Sequence, residues 1–159
     1  MNYSIRKAVK SDMSQVLHLI KELAVFEKEV DAVEVTVKDL EIDGFGEKPA
    51  FECFVAEANH TIAGIALIYH RYSTWKGKSL HLEDLIVSES MRGSGLGTAL
   101  LDEVVKYGHS LGIKRINWEV LDWNEPAIVF YEKKGAQVKR DWNVVHLNEQ
   151  GIKDYIAKL

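Results

Sequence analysis

The sequence predicts one mixed α/β domain over residues 1–159, and three observations carry that expectation. Apolar residues switch along the chain between period-two runs and helical spacing, with no repeat, low-complexity tract or Pro/Ser-rich linker between them. A hydrophobic content of 47% over 159 residues suffices for one continuous core. A glycine-rich turn also joins an apolar strand-like run directly to an amphipathic segment.

Taken in order, Tyr3 to Lys7 reads as a short opening strand, and Ser11 and Asp12 offer N-cap chemistry to a helix. That helix carries Val16, Leu19, Ile20, Leu23 and Phe26 at helical spacing. Thr36 with Asp39 resembles a capping box for a second short helix, which should stop near Asp43-Gly44-Phe45-Gly46 and Pro49. Phe51 to Glu57 and Thr61 to Tyr72 read as strands joined by a hairpin turn at Asn59-His60. Leu80 to Val87 reads as a central strand that runs into the glycine turn and a helix from about Gly97 to Leu111. The remaining expectations are a strand from Arg115 to Leu121, a helix opening near Pro126, a strand around Trp142 to Leu147 and a last helix capped by Asn148.

Charge and cysteine usage narrow the function classes. A formal net charge of -4 lacks the dense cationic surface that nucleic-acid binding requires. Cys53 is the sole cysteine, which forbids an intrachain disulfide and fits a reducing, cytoplasmic setting. The first residues lack an apolar h-region and no run is long enough to span a bilayer, so no membrane role is expected. The six histidines show neither H-x-x-x-H nor H-x-H spacing, and no metal site is expected.

The most specific feature is Arg92-Gly93-Ser94-Gly95-Leu96-Gly97-Thr98. Alternate glycines let the backbone approach a ligand, so that N–H groups at a helix N-terminus can bind phosphate oxygens while Arg92 adds a cation. No Gly-Lys-Ser/Thr follows, and the third glycine comes one residue early for a dinucleotide fingerprint, which argues against ATP and NAD. Taken alone, the glycines are explained as well by a tight turn that binds nothing.

Their neighbours add a resemblance. The run Arg92 to Gly97 meets the pyrophosphate-binding motif of the GNAT acetyltransferases: Arg or Gln, two residues of any kind, Gly, any residue, then Gly or Ala. Leu19-Ile20-Lys21-Glu22-Leu23-Ala24, Asp43-Gly44-Phe45-Gly46, Leu82-Glu83-Asp84 and Trp123-Asn124-Glu125-Pro126 extend it to the diamine (spermidine/spermine) N-acetyltransferase family. Tyr72-Ser73-Thr74-Trp75-Lys76-Gly77 and Leu121-Asp122-Trp123-Asn124 resemble the thialysine-preferring branch. In the polyamine-preferring branch the position of Ser73 is typically an aspartate that contacts the cationic substrate.

The resemblance implies a GNAT fold, with a central, mostly antiparallel twisted sheet flanked by helices, and a homodimer. It implies an acetyl-CoA-dependent transfer to the primary amine of a small molecule, either a thialysine- or lysine-like amine or a di- or polyamine. Leu85, Ile86 and Val87 would hold the pantetheine arm through their backbone, and Arg92, Gly93, Ser94, Gly95, Leu96, Gly97 and Thr98 the pyrophosphate. Asn124, Pro126, Ala127, Tyr131 and Lys134 would complete the cosubstrate contacts. A primary alkylamine is almost wholly protonated at neutral pH, so a base is required; the resemblance gives that role to Glu83, through a water, with Asp84 nearby. It gives Tyr131 the role of acid toward the departing thiolate. Phe26 and Glu27 match substrate positions, and a substrate-contacting acid of the family carries over to Asp141, in a segment shorter than the family's; Trp75 separately offers the amine a cation–π face.

Each assignment has a plainer competitor. Adjacent Glu83 and Asp84 point to opposite faces of a regular strand, and share a cleft only if a bulge intervenes. Tyr131 is also an amphipathic aromatic beside Phe130, Phe26 continues an apolar stripe, Glu27 is also a surface charge, and Trp75 also packs. A peptide N-acetyltransferase and a silent acyl-CoA-binding module remain the competing readings of the chain.

Overall fold

A computed structural model describes residues 3–159. Strand β1 (Tyr3–Lys7) is followed by a 3₁₀ turn at Lys10–Asp12 and helices α1 (Met13–Phe26) and α2 (Val37–Phe45). Strands β2 (Glu52–Ala58), β3 (Thr61–Ser73) and β4 (Gly77–Val87) come next, then a 3₁₀ turn at Glu89–Met91, helix α3 (Leu96–Ser110) and strand β5 (Ile116–Asn117). Helices α4 (Glu125–Lys133) and α5 (Glu149–Ile156) complete the order. The chain falls into two compact units, Met1–Glu119 and Val120–Leu159.

The first unit holds the whole sheet, in the order β1-β2-β3-β4-β5, antiparallel throughout except for a parallel β4–β5 pair. Asn59 and His60 both take positive φ, which matches the twist of a two-residue hairpin between β2 and β3. One face buries Cys53, Val55, Ile65, Leu67 and Ile86 against Met13, Val16, Leu17 and Leu19 of α1 and Leu40 of α2. The opposite face receives α3. There Gly108 lies so close that a Cβ would stand 3.0 Å from Ile116 Cδ1 and 3.4 Å from Leu80 Cδ1, so glycine sets the helix-to-sheet spacing.

Local chemistry accounts for the helix ends. Thr36 and Asp39 form the expected reciprocal box: the Asp39 N–H donates to Thr36 Oγ1 at 3.2 Å and the Thr36 N–H to Asp39 Oδ2 at 2.8 Å. Asn148 accepts from the Gly151 N–H at 2.8 Å, as a cap of α5 should. Asp12 holds the N-cap position of α1 as expected, but its side chain does not cap that helix. Its carboxylate takes the Val9 N–H and the Arg6 guanidinium, closing the 3₁₀ turn, and α1 begins one residue later.

Two strand expectations are corrected. The strand expected from Arg115 to Leu121 shortens to Ile116–Asn117, because β4 offers it only two paired positions, Leu80↔Ile116 and His81↔Asn117. The strand expected around Trp142 to Leu147 is irregular: among the described residues it has no ladder partner, and alternating apolar residues make a strand only when another edge takes their backbone groups.

Candidate active site

The register of β3 against β4 contains the feature on which the site turns. Ile68 pairs with Leu82 and Leu67 with Asp84, so one step on β3 spans two on β4 and Glu83 is the extra residue of a bulge. Without it, Glu83 and Asp84 would face opposite ways. With it, both project on the α1 side, which is the condition the sequence posed.

Around that bulge the carboxylates interact. Burial, followed by the charges of Glu83 and Glu27, pushes the Asp84 carboxyl up to about 6. Glu27, which ends α1, is likewise raised, first by burial and then by Glu29. Glu83 is the most open of the three, its side chain 53% exposed, with Oε2 3.5 Å from His81 Nε2. Asp84 is thus repelled by two carboxylates when all are ionised, and a cation beside it relieves that repulsion.

The edge of β4 toward β5 opens just beyond this point. Pairing ends at His81↔Asn117, so from Glu83 to Val87 the strand is hydrogen-bonded only to β3, and backbone groups of Leu85 to Val87 remain on the other edge for an extended ligand arm.

The glycine turn follows. Gly93 and Gly95 take φ of 74° and 89°, a region that glycine enters freely and other residues do not. Gly95 is the N-cap of α3, and its carbonyl receives the Ala99 N–H at 3.0 Å. The amides of Leu96, Gly97 and Thr98 therefore precede the first bond of the helix and point out of its positive end. Nothing lies within 4 Å of where a Cβ on Gly93 or Gly95 would stand, so the loop is open on that side. Arg92 lies beside it, its guanidinium 5.2 Å from the Phe26 ring and 3.9 Å from Glu22, while Glu22 accepts the Glu89 N–H at 2.7 Å. The donors of Arg92 and three helix-end amides suit an anionic diphosphate.

Residues 14–136 match the Acetyltransferase (GNAT) family. The chain belongs to the GNAT acetyltransferase family. It is 38% identical to the thialysine N-epsilon-acetyltransferase of Bos taurus, over 97% of each chain. It is 33% identical to the spermidine/spermine N(1)-acetyltransferase-like protein 1 of Homo sapiens, over 96% of this chain and 23% of that protein. An integron cassette protein from the mobile metagenome of V. cholerae has the same fold, with a TM-score of 0.80 at 21% identity over 98% of each chain. GNAT enzymes take the acetyl group from acetyl-CoA, and the Arg92 turn has the donor set that such a cosubstrate's diphosphate needs.

Other expected GNAT site residues are placed less tightly. Trp75 is 78% exposed at the tip of the β3–β4 hairpin, and the six steps of strand from Gly77 to Glu83 put it about 20 Å or more along the strand from the bulge. Ser73 Oγ accepts the Trp75 and Lys76 N–H groups, both at 3.2 Å, so the serine closes this hairpin turn. Cys53 is buried and its thiol pushed up to about 12, chiefly by desolvation, which leaves it inert as a nucleophile.

In the second unit, Asn124 caps α4, its Oδ1 accepting the Ala127 N–H at 3.4 Å, with Pro126 in the first turn. Tyr131 is partly buried on α4 beside Phe130, with ring centroids 5.3 Å apart. Lys134 ends that helix, and Asp141 lies exposed in the irregular segment beyond. The sequence reading missed His81 and Asn117. His81 is two residues from Glu83 on an alternating strand, which is a usable signal, whereas the parallel register that brings Asn117 to it is not written in either segment.

Proposed function

We propose that this chain transfers the acetyl group of acetyl-CoA directly to the primary amine of a small cationic molecule of the thialysine or lysine type. The observation that carries this reading is the bulge at Glu83, which puts Glu83 and Asp84 on the α1 side of the sheet, in electrostatic contact with Glu27. An ammonium group drawn among these carboxylates must lose a proton before it attacks a thioester. Glu83, the most open of the three, is the base, acting through a water, and Asp84 and Glu27 hold the cation. Bound acetyl-CoA supplies an activated acyl group; the β4 edge from Leu85 to Val87 aligns its arm and the Arg92 turn binds its diphosphate. Tyr131 protonates the departing thiolate, with Asn124, Pro126, Ala127 and Lys134 completing the cosubstrate contacts.

The names of the curated relatives support an amine of this size, and the use of the Ser73 hydroxyl within its own turn favours the thialysine-like branch over the polyamines. The family match, residues 14–136, includes residues of both units. Phe26 and Asp141 are secondary substrate contacts in this reading, whereas Trp75, about 20 Å or more along the strand from the bulge, lies beyond the reach of a lysine-sized amine bound there. Among the described residues no helix is long and apolar enough to cross a membrane, and a buried free thiol suits a reducing cytoplasm.

A homodimer belongs to the same proposal. Trp142, Val145, Leu147, Tyr155 and Leu159 are all at least 60% exposed, an unusual apolar density for a free surface, and the unpaired segment 142–147 offers a second copy a strand edge.

A CoA-release assay with acetyl-CoA against thialysine, lysine, ornithine, putrescine, spermidine and a basic peptide tests the reading. Preferential turnover of thialysine is expected. Preference for the peptide would overturn the small-molecule assignment, and CoA binding without turnover on any amine would overturn catalysis.

A further inference from the structure

Three strands line up one row of side chains beside the bulge. Tyr69 of β3 is in register with His81 of β4, and His81 with Asn117 of β5. The Tyr69 ring stacks on the imidazole at 4.9 Å with 30° between planes, and His81 itself is only 6% exposed. Asn117 Nδ2 stands 3.0 Å from His81 Nδ1. On the other side of the ring, Nε2 stands 3.5 Å from Glu83 Oε2.

Hydrogen-bond polarity fixes how this row works. An ionised carboxylate only accepts, and the Asn117 Nδ2 group only donates. With the ring proton on Nε2, Asn117 donates to Nδ1 and Nε2–H faces the carboxylate, so both contacts are complementary. The opposite tautomer would set a bare Nε2 lone pair against the Glu83 oxygens. The Glu83 carboxylate thus favours the Nε2–H tautomer, Asn117 complements it with Nδ2 toward Nδ1, and the Tyr69 stack holds the plane of the ring.

We propose that His81 is a positioning residue for Glu83, with Asn117 complementing its Nε2–H tautomer, so that Glu83 Oε2 is tethered and Oε1 is left free to take the substrate proton. Glu83 needs such a tether, being an exposed, long side chain on an irregular stretch of strand. The separation of 3.5 Å is one that tightens when a ligand dries the site, as catalytic hydrogen bonds commonly do. This inference rests on the reading of Glu83 as the base.

The test is steady-state kinetics on the full chain with its preferred amine, for His81→Phe, His81→Gln, Asn117→Leu, Glu83→Gln and the His81→Phe/Glu83→Gln double variant. Phe keeps the ring volume and the Tyr69 stack but cannot donate; the Gln amide reaches close to where Nε2 stands. His81→Phe should lower kcat by about 10- to 100-fold with both KM values unchanged, the scale expected of a misplaced catalytic group. His81→Gln should recover most of that loss, and Asn117→Leu, which touches Glu83 nowhere in this row, should show a smaller fall in kcat alone. On the Glu83→Gln background, His81→Phe should cost nothing further, because the group it positions is gone.

The outcomes separate the two claims. Full activity in Glu83→Gln would sink the reading of Glu83 as the base, and the positioning role with it. Loss in Glu83→Gln with wild-type kcat in His81→Phe would overturn the positioning role alone. Equal, multiplying losses in the double variant, or no recovery by Gln, would assign His81 to packing instead. Should His81→Phe fail to fold, Asn117→Leu and the Gln variant carry the same comparison.

Discussion

Replacing Asp84 by asparagine should stabilise the protein at neutral pH while weakening its hold on the amine. Burial, reinforced by Glu83 and Glu27, lifts this carboxyl from 3.8 to about 6. That difference of roughly two units corresponds to about 3 kcal/mol at 1.36 kcal/mol per unit. The folded state binds the proton more tightly than the unfolded chain does. The stability this contributes is complete below the unfolded value near 3.8 and is lost as the pH rises through about 6. Asparagine carries no such penalty. The variant should therefore exceed the parent by about 3 kcal/mol near pH 8, or roughly 6–12 °C in Tm for a chain of this size, and the gap should close toward pH 4. Urea unfolding across that range measures it. A gap that stays constant with pH, or a parent more stable than the variant near pH 8, would refute the reasoning. Glu83→Gln provides the internal control, since it removes the larger of the two charges acting on Asp84 and should move the midpoint of the pH dependence down.

Tyr131→Phe should reduce kcat by about 100-fold or more while the KM for acetyl-CoA stays within a factor of two, because a general acid acts on the leaving group and not on the bound cosubstrate; stopped-flow or steady-state assays read this directly, and unchanged turnover would remove Tyr131 from the chemistry. Gly95→Ala should cost about 1–2 kcal/mol of stability from its φ of 89° and raise the KM for acetyl-CoA far more than that for the amine. Denaturation and paired KM measurements check the two halves, and an equal rise in both KM values would show that the loop is not the diphosphate site.

Much of the fold was legible because its signals are local. The Thr36–Asp39 box, the Asn148 cap and the Asn59-His60 hairpin each depend on residues a few positions apart, and each forms as the spacing predicts. The segment 142–147 carries an equally clear apolar pattern yet forms no strand, since pairing depends on an edge that lies elsewhere. The site divides in the same way. The tight turn at Arg92 to Gly97 could be read from its glycines, though not what it binds, whereas the Tyr69, His81 and Asn117 row exists only through registers set by residues distant in sequence.

The Glu83 bulge shows why that division has a functional consequence. A regular β4 would satisfy every ladder bond to β3 and send one of the two carboxylates to the α3 face, where Leu80 packs against the helix. One inserted residue avoids a buried charge there and leaves the Glu83 position unpaired on the ladder. It also carries Asp84 to the same side as Glu27, where burial raises its pKa. The ladder irregularity, the shared face of the two carboxylates and the raised Asp84 pKa are thus consequences of a single register step. Inserting one residue between Leu67 and Ile68, opposite Glu83, should restore the ladder with both carboxylates kept and abolish amine turnover, with acetyl-CoA binding at the Arg92 turn retained; circular dichroism, turnover and acetyl-CoA titration on that insertion variant would separate the three effects. Retained turnover would show that the carboxylates need not share a face, and that the register step is incidental to the chemistry.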